Sequence, residues 1–245
     1  MIARDQPTCF PEHVLAVVSS RDDGTMLDRT NGESHESHIL ARRDSFCRGQ
    51  GVGYTDVAYQ RITYGDDRSY DNIVDVDKND ATFFRQDVDA DALFTSAKGL
   101  GLFLPIADCA GTIVYDPSKQ YLALAHIGRH STVANLASKL VDYFVARGSN
   151  ASDLLVWMAP HAKKESYRLE YFEYQADSAW RPYVNQTADG IYIDMAGYNL
   201  DQFLQRGVKR GNVAVSGVDT ARDQNYFSHS QGDAYGRFAV LAMMR

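Results

Sequence analysis

Cysteine is scarce in this chain. Only Cys9, Cys47 and Cys109 occur in 245 residues, an odd number with no CxxC pair, so no disulfide framework is suggested. An apolar leader is also missing: the N-terminus, MIARDQPTCF, has no hydrophobic h-region, and no apolar run approaches the ~20 residues that cross a bilayer. A cytoplasmic protein with no membrane partner is therefore expected. Basic charge is short as well, with 25 Lys and Arg against 32 Asp and Glu and a formal net charge of −7. Nucleic-acid binders normally show a basic face, so no nucleic-acid partner is expected. Repeats, low-complexity tracts and linkers are absent, which favours a single domain over residues 1–245. What remains is the composition of an ordinary globular protein, 44% apolar and 23% charged.

The stretch Leu100–Thr132 organises the rest. An apolar run, Leu100 to Ala107, ends on Asp108 and Cys109. A second run, Thr112 to Tyr115, leads into the turn Asp116-Pro117-Ser118. A third, Tyr121 to Ala125, ends on His126, followed by Gly128 and a helix start at Ser131 or Thr132. Short β-prone runs split by a Pro-containing turn predict adjacent strands of one sheet. Cys109 and His126 then lie at comparable strand ends, where side chains leave the core and converge. A thiol and an imidazole so placed can hold a soft metal or act as nucleophile and base. The competing reading is a buried cysteine and a capped histidine.

On either side, His13–Ser20 reads as a strand and residues 34–46 as a helix closed by glycines. Arg42 and Arg43 lie near its end, suited either to a solvated helix terminus or to phosphate or carboxylate recognition. Val57–Thr63, Asn72–Val76 and Ala92–Thr95 read as strands; the acidic connection between the last two lacks the spacing of a calcium loop. Ser131–Arg147 carries the apolar spacing of one amphipathic helix, stopped by Gly148. Leu154–Met158 is a buried strand with His161 beyond its end, a water-exposed residue or a substrate contact. An aromatic-rich helix is expected over Ser166–Ala179. Ile191–Ile193 is a strand, Asp194 caps a helix to Gln205 and Arg206, and Val213–Val215 and Phe238–Met243 close the sheet. The fold class is α+β, a mixed sheet flanked by helices with a metal or Cys/His pocket at the strand ends.

The series ADALFT, GLGLFLPIADC, YLALAHIG, LLVWMAPHA, YIDM and YFSHSQGDAYGRFAVL resembles the laccase-domain family, also known as multicopper polyphenol oxidases and purine nucleoside phosphorylases. That resemblance implies a pocket metal, zinc rather than copper, held by two histidines and a cysteine. Cys109 matches the ligand cysteine, His126 the second ligand histidine, and Arg43 the arginine of the family's Asn-Arg pair, with Arg42 in the Asn position. The first ligand histidine is replaced by Tyr64 in Ile62-Thr63-Tyr64-Gly65, and the late motif reads Tyr226-Phe227-Ser228-His229. A phenol of pKa near ~10 is a poor zinc donor at neutral pH, so rescue falls to Tyr64 as phenolate, to His130 or His229 moving in, or to Cys109 and His126 without metal. The implied substrates are a purine nucleoside and phosphate, with Cys109, His126 and Arg43 catalytic and Arg42, His161 and His229 in binding. Three functional classes stay open: a zinc-dependent nucleoside phosphorylase or deaminase, a metal-free Cys/His hydrolase or amidase, and a binding member without chemistry.

Overall fold

The computed structural model describes residues 1–27, 36–81 and 87–245; the expected helix start near residue 34 and part of the acidic connection lie outside them. In chain order the elements are β1 (Val14–Val18), α1 (Ser37–Gly49), β2 (Val57–Arg61), β3 (Ile73–Asp75), β4 (Val88–Asp89), β5 (Ala92–Thr95), β6 (Gly101–Ile106), β7 (Ala110–Asp116) and β8 (Tyr121–Ile127). Then come α2 (Arg129–Val133), α3 (Leu136–Ala146), β9 (Leu155–Met158), β10 (Arg168–Leu169), β11 (Val184–Thr187), β12 (Gly190–Ile193), α4 (Met195–Gln205), β13 (Val213–Val215) and β14 (Phe238–Met244).

The strands form two mixed sheets, β1-β14-β6-β2-β4 and β13-β9-β7-β8-β5-β3, with a small antiparallel sheet β10-β12-β11 beside them. Alternation along each strand explains the layering. Leu102, Leu104 and Ile106 of β6 face Ile113 and Tyr115 of β7 and Leu122 and Leu124 of β8 in the core between the sheets. Phe103, pointing the other way, packs under Phe46 and Cys47 of α1. Ala123 and Ala125 of β8 and Val114 of β7 turn outward to meet Leu140, Val141 and Phe144 of α3 and Phe203 of α4. Strands buried on both faces read as continuous apolar runs, as these do. The architecture is thus mixed α+β.

Three expectations need correction. The runs around Cys109 do not share one sheet: β6 belongs to the first, β7 and β8 to the second. Asp108, in the left-handed region at φ 67, turns the chain between them. The sheets approach so closely that a Cβ on Gly111 would lie 2.6 Å from Val240 Cγ2 and 3.1 Å from Ile106 Cδ1. Next, the single helix over 131–147 is two helices, broken at left-handed Asn135 (φ 60). Val133 packs toward the Phe172–Trp180 cluster, whereas Leu136 and Leu140 pack on the sheet, and one straight helix cannot present both faces.

Finally, no helix spans 166–179. Arg168 and Leu169 pair with β12 instead, and the aromatics build their own core, where Trp180 stacks on Tyr198 with centroids 3.9 Å apart and planes at 8°. Aromatic spacing that resembled a helical face is that of a folded loop. Asp194 does cap α4, its carboxylate accepting from Gly197 N at 2.8 Å. Among the described residues no helix is long and apolar enough to cross a membrane.

Overpacking the contact between the sheets gives a direct check. Gly111→Ala should lower stability in urea by about 1–3 kcal/mol with an unchanged m-value. Gly49→Ala, at a helix position with no atom within 4 Å of the added carbon, should be neutral or stabilising by up to about 1 kcal/mol. Equal effects of the two would contradict the packing described.

Candidate functional site

Antiparallel pairing of β7 with β8 sets Gly111 opposite His126 and Ala110 opposite Ile127. The residue before β7, Cys109, therefore lies beside Gly128. The point a Cβ of Gly128 would occupy is 2.9 Å from Cys109 Sγ, 3.0 Å from His126 Cε1 and 3.3 Å from His126 Nε2. Thiol and imidazole converge on one spot, and glycine is required there because any side chain would fill it. Ser131 fixes the turn: its hydroxyl donates to His126 O at 2.7 Å and accepts from Gly128 N at 2.9 Å. His126 N donates to Asp91 O at 2.8 Å, so the histidine backbone is held on both sides.

Asp108 positions Cys109. Its carboxylate, 7% exposed, accepts from Thr220 Oγ1 at 2.9 Å and from Ser230 N at 2.7 Å. Its carbonyl accepts from Ala162 N at 2.9 Å. Non-glycine residues at positive φ are uncommon and persist where surrounding bonds over-determine them. Those bonds also tie the loop carrying His229 to the cavity.

The cavity in front of the pair encloses about 430 Å³. Tyr64, Cys109, His126 and His229 all line it, together with Tyr167, His130, Arg129, Arg168 and Arg237. Burial, and then the nearby Cys109, push the Tyr167 hydroxyl well above the usual phenol range. Burial, and then Arg129, push the His130 imidazole below its ordinary value. Sequence reasoning missed Arg129, Arg168, Arg237 and Tyr167 as cavity residues. Arg129 was visible, three residues after His126; Arg168 arrives only through pairing of β10 with β12, which leaves no local signature.

Arg43 and Arg42 are not brought to this cavity. Arg43 is fully buried, donating from Nε to Met26 O at 2.7 Å, from Nη1 to Tyr54 Oη at 3.0 Å and from Nη2 to Tyr59 Oη at 3.2 Å. Its guanidinium carbon lies 4.3 Å from the Tyr59 ring centroid. It braces α1 against β2. Arg42 lies over Gly24, with Cδ 2.7 Å from where that residue's Cβ would be.

His161 lies behind the cavity, 2% exposed, lining a small void shared with Cys109, Asp108 and Tyr167. Its Nδ1 donates to Ala159 O at 2.7 Å and its Nε2 accepts from Lys163 Nζ at 3.0 Å. Burial, reinforced by Lys163, pushes His161 down to about 4, and burial pushes Lys163 down to about 8. Both ring nitrogens of His161 are thus engaged within the protein.

The donor set does not fit a His2Cys metal centre. Among the described residues no group of three His, Cys, Asp or Glu side chains is placed to hold a metal ion. The corner where the family's first histidine is expected belongs to Tyr64, 54% exposed, whose ring lies 6.3 Å from that of Tyr70 and 6.2 Å from that of His130. Two strong donors, Cys109 and His126, remain.

Residues 27–245 match the family model described as multi-copper polyphenol oxidoreductase laccase. Similar curated proteins include purine nucleoside phosphorylase YlmD of Bacillus subtilis, 28% identical over 150 residues, 57% of this chain and 52% of that protein. A purine nucleoside phosphorylase of Xylella fastidiosa is 26% identical over 159 residues, 62% of this chain and 60% of that one. Adenosine deaminase RL5, from an unknown prokaryotic organism, is 23% identical over 190 residues, covering 73% and 70%. The chain thus spans about half to three fifths of the first two relatives. Among solved structures, YlmD from Geobacillus stearothermophilus superposes with a TM-score of 0.84 at 21% identity, covering 100% of this chain and 98% of that one. The Bacillus licheniformis protein YfiH gives 0.79 at 22%, covering 95% and 93%. At such identities the likeness shows the fold.

Restoring the third donor should restore metal affinity. Tyr64→His is expected to tighten zinc binding at least tenfold, about 1.4 kcal/mol, in competition with a chromophoric chelator. Equal zinc affinity in the two proteins would show that another residue already completes the site.

Proposed function

The chain belongs to the multi-copper polyphenol oxidoreductase laccase family, and on that premise we propose that it cleaves purine nucleosides by phosphorolysis in the cytoplasm. The observation that carries this reading is the convergence of Cys109 and His126 at Gly128 on the wall of a cavity lined by arginines and tyrosines. A volume of about 430 Å³ lies in the range of small-molecule sites. Tyr64 and Tyr167 offer flat faces to a purine. Arg168 and Arg237 supply the positive charge that an inorganic phosphate needs, a role the sequence alone suggested for Arg43.

Chemically, a phosphate oxygen bonds to ribose C1′ as the C1′–N9 bond breaks, and the bonding electrons leave with the purine. Negative charge builds on the base in the transition state, so a proton or donor placed at the base lowers the barrier. Cys109 and His126 face the cavity together and serve that step. Asp108 and Ser131 hold them, so their geometry needs no rearrangement when substrate arrives. No step runs through a metal, because the donor set does not fit one.

The same convergence supports a second reading, in which Cys109 is the nucleophile and His126 the base of an amidase or deaminase. One assay separates the two. With adenosine, inosine or methylthioadenosine and phosphate, phosphorolysis yields free base and ribose-1-phosphate in equal amounts. Arg168→Ala should raise the KM for phosphate about tenfold, about 1.4 kcal/mol, with a smaller change in the nucleoside KM. Release of ammonia without demand for phosphate would favour the second reading. Thermal stabilisation by nucleoside without turnover would leave a binding protein.

A further inference from the structure

A second cavity, about 400 Å³, abuts the first. Tyr70, Arg129 and His130 line both and form a shared wall. On that wall the Tyr70 and His130 rings are stacked, centroids 4.5 Å apart and planes at 26°. Tyr70 holds φ 57, a left-handed conformation that is strained for a bulky residue. Its hydroxyl secures the turn, accepting from Gly65 N at 3.1 Å and donating to Gly65 O at 3.0 Å. Strain of this kind collects at ligand clamps.

Beyond the wall, Tyr171 is 67% exposed, and Tyr174 adds a second ring to the same cavity. Arg129 stands at the junction of the two cavities. Flat rings beside a guanidinium suit an anionic group linked to a nucleobase, since bases stack on tyrosine and phosphate pairs with arginine.

We propose that the second cavity receives the 5′ side of an extended substrate, and that the substrate class is a purine dinucleotide. The reacting nucleoside occupies the Cys109 cavity, the phosphodiester meets Arg129, and the second base lies against Tyr171. The reaction assigned to the first cavity rests on the phosphorolysis reading; occupancy of the second does not. Inorganic phosphate bonds C1′ of the 3′-terminal nucleoside, its C1′–N9 bond breaks, adenine leaves carrying the bonding electrons and gains a proton, and the phosphodiester stays intact.

The test is calorimetric binding of adenylyl-(3′→5′)-adenosine and of adenosine, without phosphate, to wild type, Tyr171→Ala and Tyr171→Phe. Tyr171 is exposed, so the variants should fold, and equal thermal unfolding confirms it. The dinucleotide should bind wild type at least tenfold tighter than adenosine. Tyr171→Ala should remove most of that advantage and leave adenosine affinity unchanged, while Tyr171→Phe should keep it. Equal affinities in wild type, an absence of dinucleotide binding, or an advantage untouched by Tyr171→Ala would overturn the proposal. Because binding is read without turnover, a protein that binds the dinucleotide through Tyr171 yet performs no phosphorolysis would sink the reaction and keep the subsite.

Discussion

A buried carboxylate needs hydrogen bonds in place of the water it gives up, and that of Asp108 obtains two from residues more than a hundred positions away. Thr220 and Ser230 satisfy its oxygens, and Ala162 N meets its carbonyl. Those bonds hold the residue at a positive φ where the chain passes from one sheet to the other. Cys109 follows at once, so the crossover that builds the fold also aims the thiol. The register of β7 on β8 then brings His126 to meet it across Gly128. Local strain is thus offset by distant contacts, a pattern common where geometry serves chemistry.

Electrostatics sharpen the cavity against the background of the whole chain. The total charge is −7, yet Arg129, Arg168 and Arg237 line one cavity. A concave, low-dielectric wall concentrates the positive field of such a cluster on an otherwise acidic molecule. Burial and the neighbouring Arg129 lower the His130 pKa, and its ring stacks on Tyr70.

Much of this was legible in the chain. Ala92–Thr95 and Val213–Val215 are strands with the bounds expected, and Asp194 caps its helix, because apolar runs and cap chemistry are local signals. Cys109 and His126 were expected at strand ends, and they meet through the pairing of β7 with β8 within one sheet, although the run before Cys109, β6, belongs to the other. Nonlocal effects were hidden. Two-residue strands such as β10 carry no periodicity, and the aromatic cluster around Trp180 imitates helical spacing. Arg43 shows a signal that was overlooked: it falls four residues after Ile39 and three before Phe46, both buried, so it shares their inward face. An arginine there braces the interior, and the arginines that line the cavity are delivered by tertiary contacts.

The central claim is that Cys109 and His126 act as one unit, and a double-mutant cycle on nucleoside phosphorolysis tests it most directly. Groups that depend on each other lose their effect together, so Cys109→Ala with His126→Ala should be no slower than the slower single variant, within about twofold. Losses that multiply, as for two independent residues, would contradict the account.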